Sequence, residues 1–284
     1  MPLREGPSGS RVLAVNVGAV RTVDWHGTAV TTGIWKAPVT GRVALRGVNL
    51  DGDDQADRSV HGGADKAVYA YASEDYAWWS TTRTGPLALA TFGENLSTAG
   101  IDLNACRIGH RWQVGSALLE VAQPRTPCHK LGIRMGDDRF PARFAEAGRP
   151  GAYLRIVGPG DVGAGDLIVV EGAEPPAVRI GSLVGEEVDE ESLRVAARDP
   201  RVPRVWRAAA SAALSSCPVR TRGSRYSPVG VSFRRWRSRG AAVRVTGGDH
   251  GTFDAADQVG ERGRVGGHAA ERVGSGDDTV ALGL

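Results

Sequence analysis

Apolar and polar residues along the first 172 positions follow the short period that is typical of β-strands. VLAVNV (12–17) is apolar and β-branched, which predicts a buried strand that ends at Gly18. RVALRGV (42–48) alternates as a half-buried strand does. Further strands are predicted at AVYAYA (67–72), GAYLRIV (151–157) and DLIVVEG (166–172). Many short strands with few helices predict a mainly β, α+β fold, either a β-barrel or a strongly bent sheet.

Three other patterns fall between these strands. RWQVGSALLEVAQ (111–123) predicts two strand segments with a bulge or sharp bend at Gly115. Ser73, with two acidic residues behind it, is a predicted helix N-cap. DRFPARFAEA (138–147) predicts a short helix.

Beyond residue 175 the spacing of apolar residues becomes helical. EEVDEESLRVAARDP and RVWRAAASAAL combine early acidic residues, alanines, and leucine or valine at helical spacing. After about residue 215 this periodicity ends, and a sequence rich in Arg, Ser, Gly and Asp predicts disorder. The predicted organisation is a β domain at 1–172, a small helical extension at 173–214 and a disordered tail at 215–284.

Charge is distributed unevenly, although the net charge is only +3. Residues 201–240 contain ten arginines and no acidic residue. There Trp236 lies among arginines, as in proteins that bind single-stranded nucleic acid, and a solvated tail is the plainer interpretation. We therefore expect no nucleic-acid partner, unless this Arg-rich tail provides one.

Cysteine usage and hydropathy narrow the class of protein. Three cysteines without framework spacing favour a reduced cytoplasmic protein over a disulfide scaffold. No apolar run approaches the roughly 18 residues of a membrane helix, and the N-terminus lacks the apolar core of a signal peptide. We expect a soluble, cytoplasmic protein with no membrane partner. The absence of CxxC and HExxH spacing argues against a tetrahedral zinc site.

The octet QPRTPCHK (123–130) is the strongest candidate for chemistry. Two prolines stiffen the backbone around Cys128 and are unsuited to a strand interior. Arg125, His129 and Lys130 favour the thiolate form if their side chains turn toward the sulfur. A thiolate can attack carbon or bind a soft metal, whereas an inert, buried thiol is the default interpretation of a single cysteine.

Two further motifs carry candidate binding groups. In VHGGADKAVY, Gly62 and Gly63 follow His61 and let a ligand approach the backbone N–H groups. Lys66 adds a positive charge, so this turn could hold an anion, although paired glycines are often only a tight turn. In TFGENL, Asn95 either belongs to a capped loop or offers a donor and an acceptor to a polar heterocycle. The nucleotide-binding patterns GxxxxGK[ST] and GxGxxG are absent.

Four motifs in one order resemble the MOSC domain family, which is named for the C-terminal domain of molybdenum cofactor sulfurases. The closest likeness is to its stand-alone, YiiM-like bacterial branch. The resemblance covers roughly residues 10–172, and the helical stretch at 175–214 is similar to that branch's C-terminal extension. The motifs are VHGGADKAVYAY (60–71), GENL (93–96), GHRWQVG (109–115) and QPRTPCHKLG (123–132).

This resemblance implies a MOSC-type β-barrel with short helices that binds a molybdenum cofactor (molybdopterin). It implies that Cys128 ligates the metal, and the family is also associated with pyridoxal phosphate. His129 stands where many members have an aromatic residue, and its imidazole could donate the protons that N–O cleavage consumes. The cofactor-binding residues implied by position are His61, Gly62, Gly63, Lys66, Asn95, Arg125 and Lys130.

The activity that the resemblance implies is the reduction, and so detoxification, of N-hydroxylated bases such as 6-hydroxylaminopurine by oxygen-atom transfer. A partner reductase with a flavin or an iron–sulfur cluster would supply electrons, because three cysteines are too few for a four-cysteine cluster. The alternative is a sulfur carrier, in which Cys128 bears a persulfide and passes its sulfur to a metal centre elsewhere.

Overall fold

Strands outnumber helices in the residues that the computed structural model describes: 9–56, 62–82, 86–185 and 188–215, with two short strands at 226–227 and 231–232. The strands are β1 (Arg11–Val17), β2 (Arg21–Trp25), β3 (Thr28–Thr32), β4 (Ala37–Pro38), β5 (Arg42–Arg46), β6 (Asn49–Leu50), β7 (Val68–Ala72), β8 (Leu96–Ala99), β9 (Arg111–Val114), β10 (Ala117–Pro124), β11 (Ala152–Gly158), β12 (Gly160–Gly163), β13 (Ile168–Glu171), β14 (Tyr226–Ser227) and β15 (Val231–Ser232).

Five α-helices lie in the same ranges. They are α1 (Ser73–Thr82), α2 (His129–Met135), α3 (Phe140–Glu146), α4 (Glu190–Arg198) and α5 (Arg204–Ser215), with 3₁₀ turns at Ala64–Lys66 and Gly181–Leu183. Helix α1 begins at the predicted N-cap residue, and α3 lies within the predicted segment 138–147. In the described part of the chain, every helix is too short or too polar to cross a membrane.

Eight strands form one bent sheet in the order β13-β9-β10-β11-β7-β8-β1-β4. The start of β1 meets the chain before β13 through an isolated bridge between Arg11 and Leu167. Three backbone hydrogen bonds join the two segments there: Val12 N–H to the Asp166 carbonyl (2.9 Å), Gly165 N–H to the Val12 carbonyl (2.8 Å) and Ile168 N–H to the Ser10 carbonyl (2.9 Å). The pairing of β1 with β8 shifts register after Val12, and such a bulge bends a strand away from its neighbour. The α+β prediction is confirmed, but the sheet is not closed into the expected barrel, because β13 and β1 are not paired as neighbouring strands.

The bend predicted at Gly115 is a tight hairpin between β9 and β10. Val114 and Ala117 pair across it, and Gly115 has a φ of 55°. A Cβ at this position would collide with the Asp161 carbonyl and the Arg42 side chain. Glycine is therefore required by both its conformation and its surroundings.

One apolar core runs from the sheet into the helical extension. Leu154 of the sheet belongs to the same buried cluster as Leu193 of α4 and Trp206 of α5. Helices thus form where helical spacing predicts them, but the boundary between residues 172 and 173 stays a prediction. Apart from Ser215 and strands β14 and β15, the predicted disordered tail lies outside the described residues.

A second cluster, made of aromatic side chains, packs near the octet. Tyr71 of β7 lies at its centre, with its ring centroid 4.5 Å from that of Phe92. The Tyr71 hydroxyl accepts a hydrogen bond of 2.8 Å from the Trp79 indole, so that both buried polar ends are satisfied. The buried members are Tyr69, Tyr71, Tyr76, Trp79, Phe92, Leu131, Phe140 and Phe144.

Candidate functional site

Cys128 lies where β10 gives way to α2. Its extended backbone (φ −133°, ψ 172°) occupies the N-cap position of α2, and its side chain makes no cap hydrogen bond. The thiol is free and half-buried. Cys106 differs, because burial raises the pKa of its thiol to about 12. Of these two cysteines, Cys128 is the one whose sulfur can take an external partner.

Arg125 is a buried cation beside this cysteine, and only 6% of it is exposed. Its guanidinium donates a hydrogen bond to the Phe92 carbonyl and lies 4.8 Å from the centre of the Tyr69 ring. Within the described ranges, no carboxylate forms a salt bridge with it. Because arginine stays charged and a buried charge without a counter-charge is costly, this site favours an anion.

Two tyrosines complete the wall beside Arg125. Tyr69 and Tyr153 are cross-strand partners on β7 and β11, with ring centroids 5.0 Å apart. Burial raises the pKa of both phenols, and the charges of Arg125 and Cys128 also act on Tyr153. Both phenols are therefore neutral at physiological pH, and neither supplies the missing negative charge.

Asn95 was expected to face a ligand, but its side chain amide is used by the protein. Its Oδ1 accepts a hydrogen bond of 3.1 Å from the Tyr69 N–H. Its Nδ2 donates to Asp53 Oδ2 at 2.9 Å and to the Asn16 carbonyl at 3.3 Å. The structure thus gives Asn95 the task of holding the strand that carries Tyr69, and a direct ligand contact stays a prediction.

Lys36 belongs to the same buried network, although no sequence motif singles it out. Its ammonium pairs with Asp53, and the two side chains are 9% and 2% exposed. Burial lowers the pKa of Lys36, while the Asp53 charge raises it. Asp53 also accepts a hydrogen bond of 2.9 Å from the Gly18 N–H. The sequence feature that could have drawn attention to Lys36 is the rarity of lysine, since the chain has only three lysines.

Glu94 is a fully buried carboxyl group next to Asn95. Its Oε1 accepts hydrogen bonds from the Tyr76 hydroxyl (2.6 Å), the Ala90 N–H (2.7 Å) and the Ser97 hydroxyl (2.8 Å). Its Oε2 has no hydrogen-bond partner in the described residues. Burial raises the pKa of Glu94 above the ordinary 4.5, with the hydrogen bonds opposing.

We expect Glu94→Gln to remove a pH dependence of stability. Because the folded pKa is raised, the stability that this proton contributes is complete below pH 4.5 and is lost as pH rises through the folded pKa. The free energy of unfolding of the wild type relative to Glu94→Gln should therefore fall with rising pH. Urea unfolding across this pH range measures the difference, with the exposed Glu146→Gln as control. A pH-independent difference would contradict the assignment.

The paired glycines open a short turn before β7. Gly63 has a φ of 91°, which favours glycine, and it precedes the 3₁₀ turn Ala64–Lys66. Asp65 binds Arg155 of β11, with 2.6 Å between carboxylate and guanidinium. Gly62 is half-buried and Gly63 is exposed, so the backbone here is open to a ligand.

Strand register separates this turn from the octet. Val68, at the start of β7, pairs with Leu154 and is therefore level with Val121 of β10. The octet's cysteine follows Pro124, which lies further along β10. Binding of one ligand by both the glycine turn and the octet stays a prediction.

His129 and Lys130 begin α2. His129 is exposed, and local desolvation together with the Lys130 charge lowers the pKa of its imidazole. It is therefore neutral at neutral pH, and its proposed role as a proton donor stays a prediction. His61 lies outside the described residues, so its predicted contact is untested.

A small pocket opens beside Arg125. Its volume of about 20 Å³ has room for about one water molecule. Thr126 and Pro127 of the octet line it together with Phe144 of α3 and Trp206 of α5. The pocket thus brings the octet together with the helical extension.

The protein groups suit a soft metal that arrives with its own organic ligand. In the described ranges, no cluster of three or more His, Cys, Asp or Glu side chains could hold a metal ion. Cys128 offers one soft sulfur, and Arg125 offers a positive charge that pairs with no carboxylate of the described residues. A soft sulfur beside such a cation fits an anionic cofactor that provides the other metal ligands.

Comparison with known proteins agrees with this architecture. The MOSC domain model matches residues 57–169. The uncharacterized protein YflK of Bacillus subtilis is 39% identical over 155 residues, which are 54% of this chain and 70% of YflK. A protein named "Reductase" from Gibberella moniliformis is 33% identical over 167 residues, or 57% of this chain and 29% of that protein.

Comparison with solved structures finds the same branch of the family. The crystal structure of YiiM from Geobacillus stearothermophilus superimposes with a TM-score of 0.59 and 26% identity, covering 72% of this chain and 99% of that chain. The resemblance seen in the four motifs is thereby confirmed. The chain belongs to the MOSC domain family, in its YiiM-like branch.

Proposed function

We propose that this protein is an oxidoreductase that binds the molybdenum cofactor through Cys128 and reduces N-hydroxylated compounds. The observation that carries the proposal is the buried Arg125 charge, which has no carboxylate partner in the described residues, beside a half-buried thiol. Membership of the MOSC family associates the chain with the molybdenum cofactor, and a distant relative is named a reductase.

The residues of the site fit this cofactor chemically. Cys128 would hold the metal as a thiolate, which soft metals prefer. Arg125 would face the negative charge of the pterin phosphate or of the thiolate itself. Gly62, Gly63, Lys66 and Lys130 are further proposed contacts. The cofactor, when bound, supplies the two-electron redox chemistry, and the protein supplies binding and orientation.

Protons are the part of the reaction that the chain itself must supply. Reduction of an N-hydroxy group to an amine consumes two electrons and two protons and releases water. His129 is exposed, so its imidazole is within reach of solvent protons that it could pass to the departing oxygen, and desolvation and the Lys130 charge lower its pKa and so disfavour the protonated form. Tyr69 and Tyr153 are poor donors, because burial raises the pKa of each phenol.

The proposed source of the electrons is another protein. A reductase that carries a flavin or an iron–sulfur cluster is the proposed partner, since the three cysteines of the chain cannot hold a four-cysteine cluster. The proposed substrate is a small N-hydroxy compound such as 6-hydroxylaminopurine. A cytoplasmic location stays part of the proposal.

Cofactor content and activity together test this function. We expect the full-length protein, purified from a host that makes the cofactor, to contain near-stoichiometric molybdenum and pterin. With an artificial electron donor it should reduce 6-hydroxylaminopurine. Protein that lacks molybdenum but carries one extra, reducible sulfur atom by intact mass spectrometry would instead establish the sulfur-carrier alternative.

A further inference from the structure

A second and larger cavity lies beside the helical extension. Its volume of about 460 Å³ is in the range of small-molecule sites, whereas the pocket beside Arg125 has room for about one water molecule. One wall comes from the segment 173–182 and the other from the first turns of α4. Among the described residues, none lines both cavities. The larger cavity is therefore separate from the pocket beside the octet.

Two arginines form the cationic side of this cavity. Arg107 and Arg179 pair across an isolated antiparallel bridge, and directly paired residues project their side chains to the same side. Arg107 donates a hydrogen bond of 2.5 Å to the Ala177 carbonyl. The exposed Arg179 guanidinium makes no salt bridge or hydrogen bond with a described residue. It is therefore available to an anionic ligand.

The acidic side chains across the cavity already have partners. The two Asp189 carboxylate oxygens accept hydrogen bonds of 2.8 Å from Ser192, one from its N–H and one from its hydroxyl. Glu191 lies 3.7 Å from the Arg194 guanidinium. These carboxylates stabilise the start of α4. Of the charged groups that line the cavity, only Arg179 has no partner in the described part of the chain.

Ser182 is the residue of this cavity that points to a ligand. It is 3% exposed and lines the cavity, and its hydroxyl makes no hydrogen bond with a described residue. Burying a hydroxyl without a hydrogen-bond partner is costly, so this group favours an acceptor brought by a ligand. Pro175, Pro176 and Val195 add apolar surface to the walls. A donor, a cation and apolar walls together suit an organic anion.

We propose that this cavity binds a small monocarboxylate with an apolar body. The Arg179 guanidinium binds the carboxylate oxygens, the Ser182 hydroxyl donates a hydrogen bond to one of them, and the two prolines pack against the body. A monoanion is favoured because one positive charge lacks a partner, and because Asp189 and Glu191 repel a second negative charge. The site involves neither the octet nor the cofactor and goes beyond the proposed function.

Benzoate is the probe, and isothermal titration calorimetry of the full-length protein is the measurement. Benzoate should occupy one site per chain and bind at least about tenfold more tightly than benzamide, which has a similar shape and no charge. Phenyl phosphate, which carries close to two negative charges, should bind more weakly than benzoate. Benzoate that binds no more tightly than benzamide would overturn the proposal, and tighter binding of phenyl phosphate would overturn the choice of a monoanion.

Two substitutions locate the bound carboxylate. Arg179→Met should weaken benzoate binding about tenfold, and Ser182→Ala should weaken it several-fold. Ser182→Ala should leave the free energy of unfolding without ligand nearly unchanged, because the hydroxyl gives up no hydrogen bond with a described residue. Unchanged benzoate affinity in these two variants would overturn the proposal.

Two further substitutions test whether another cation binds the probe. Arg198→Met is the matched control, because Arg198 is an exposed arginine of α4 that does not line the cavity. Arg125→Met removes the cation of the pocket beside the octet. Both variants should keep the wild-type affinity for benzoate, and an equal loss in either would overturn the proposal. Protein that binds benzoate as expected but no molybdenum would overturn only the proposed function.

Discussion

Cys128→Ala is expected to lose bound molybdenum and N-hydroxy reductase activity together, each by more than about a hundredfold. The described residues contain no group of three or more His, Cys, Asp or Glu side chains that could hold the metal without the sulfur. The fold should survive, since the half-buried thiol makes no cap hydrogen bond. We therefore expect the free energy of unfolding without cofactor to change by less than about 1 kcal/mol.

Metal analysis and steady-state kinetics measure this result, and Cys106→Ala is the matched control. Cys106 is buried, and its thiol lies 3.4 Å from the Asp102 carbonyl. Its replacement should cost stability and leave the molybdenum content per folded chain unchanged. Molybdenum or activity retained by Cys128→Ala would rule out the proposed function.

Arg125→Met is expected to lose the cofactor without destabilising the cofactor-free protein by more than about 1 kcal/mol. Arg125 is 6% exposed and has no carboxylate partner in the described residues. Removing a buried, uncompensated charge relieves a desolvation cost, which offsets the lost hydrogen bond to Phe92. The same charge should be needed once an anionic ligand binds.

Arg149→Met is the matched control for this experiment. Arg149 also lines the pocket, but its guanidinium pairs with Asp75 at 2.5 Å. Its loss leaves the Asp75 carboxylate without a counter-charge and should destabilise the cofactor-free protein. Urea unfolding of protein from a cofactor-deficient host gives the stabilities. If Arg125→Met were the more destabilised variant and kept its cofactor, Arg125 would be a structural residue only.

The strands were predictable from local sequence, but the contact between β1 and the chain before β13 was not. The alternation in residues 42–48 and the glycine at 115 act over a few neighbouring positions, and both give the expected element. The start of β1 meets the chain before β13 through backbone contacts around Arg11 and Leu167, which are far apart in the sequence. The register shift after Val12 in the pairing of β1 with β8 also has no local signature.

The candidate site shows the same limit. Cys128 and Arg125 share a rigid octet, so their proximity follows from the sequence. Lys36 is paired with Asp53, 17 residues away, and only the folded chain brings that carboxylate to it. The Asn95 amide is held by Tyr69, 26 residues away, which sequence spacing could not show. Trp206 of α5 lines the pocket beside the octet, and nothing in the octet sequence indicates that this helix packs there.

The apolar core that the sheet shares with the helical extension affects how the protein unfolds. Because the sheet and the helical extension bury their apolar side chains against each other, we expect the two parts to unfold in one cooperative transition. A chain cut at residue 172 would leave no Leu193 or Trp206 to cover the sheet's apolar side chains. Such a fragment would be a looser molecule, and its chemistry would not represent that of the longer chain.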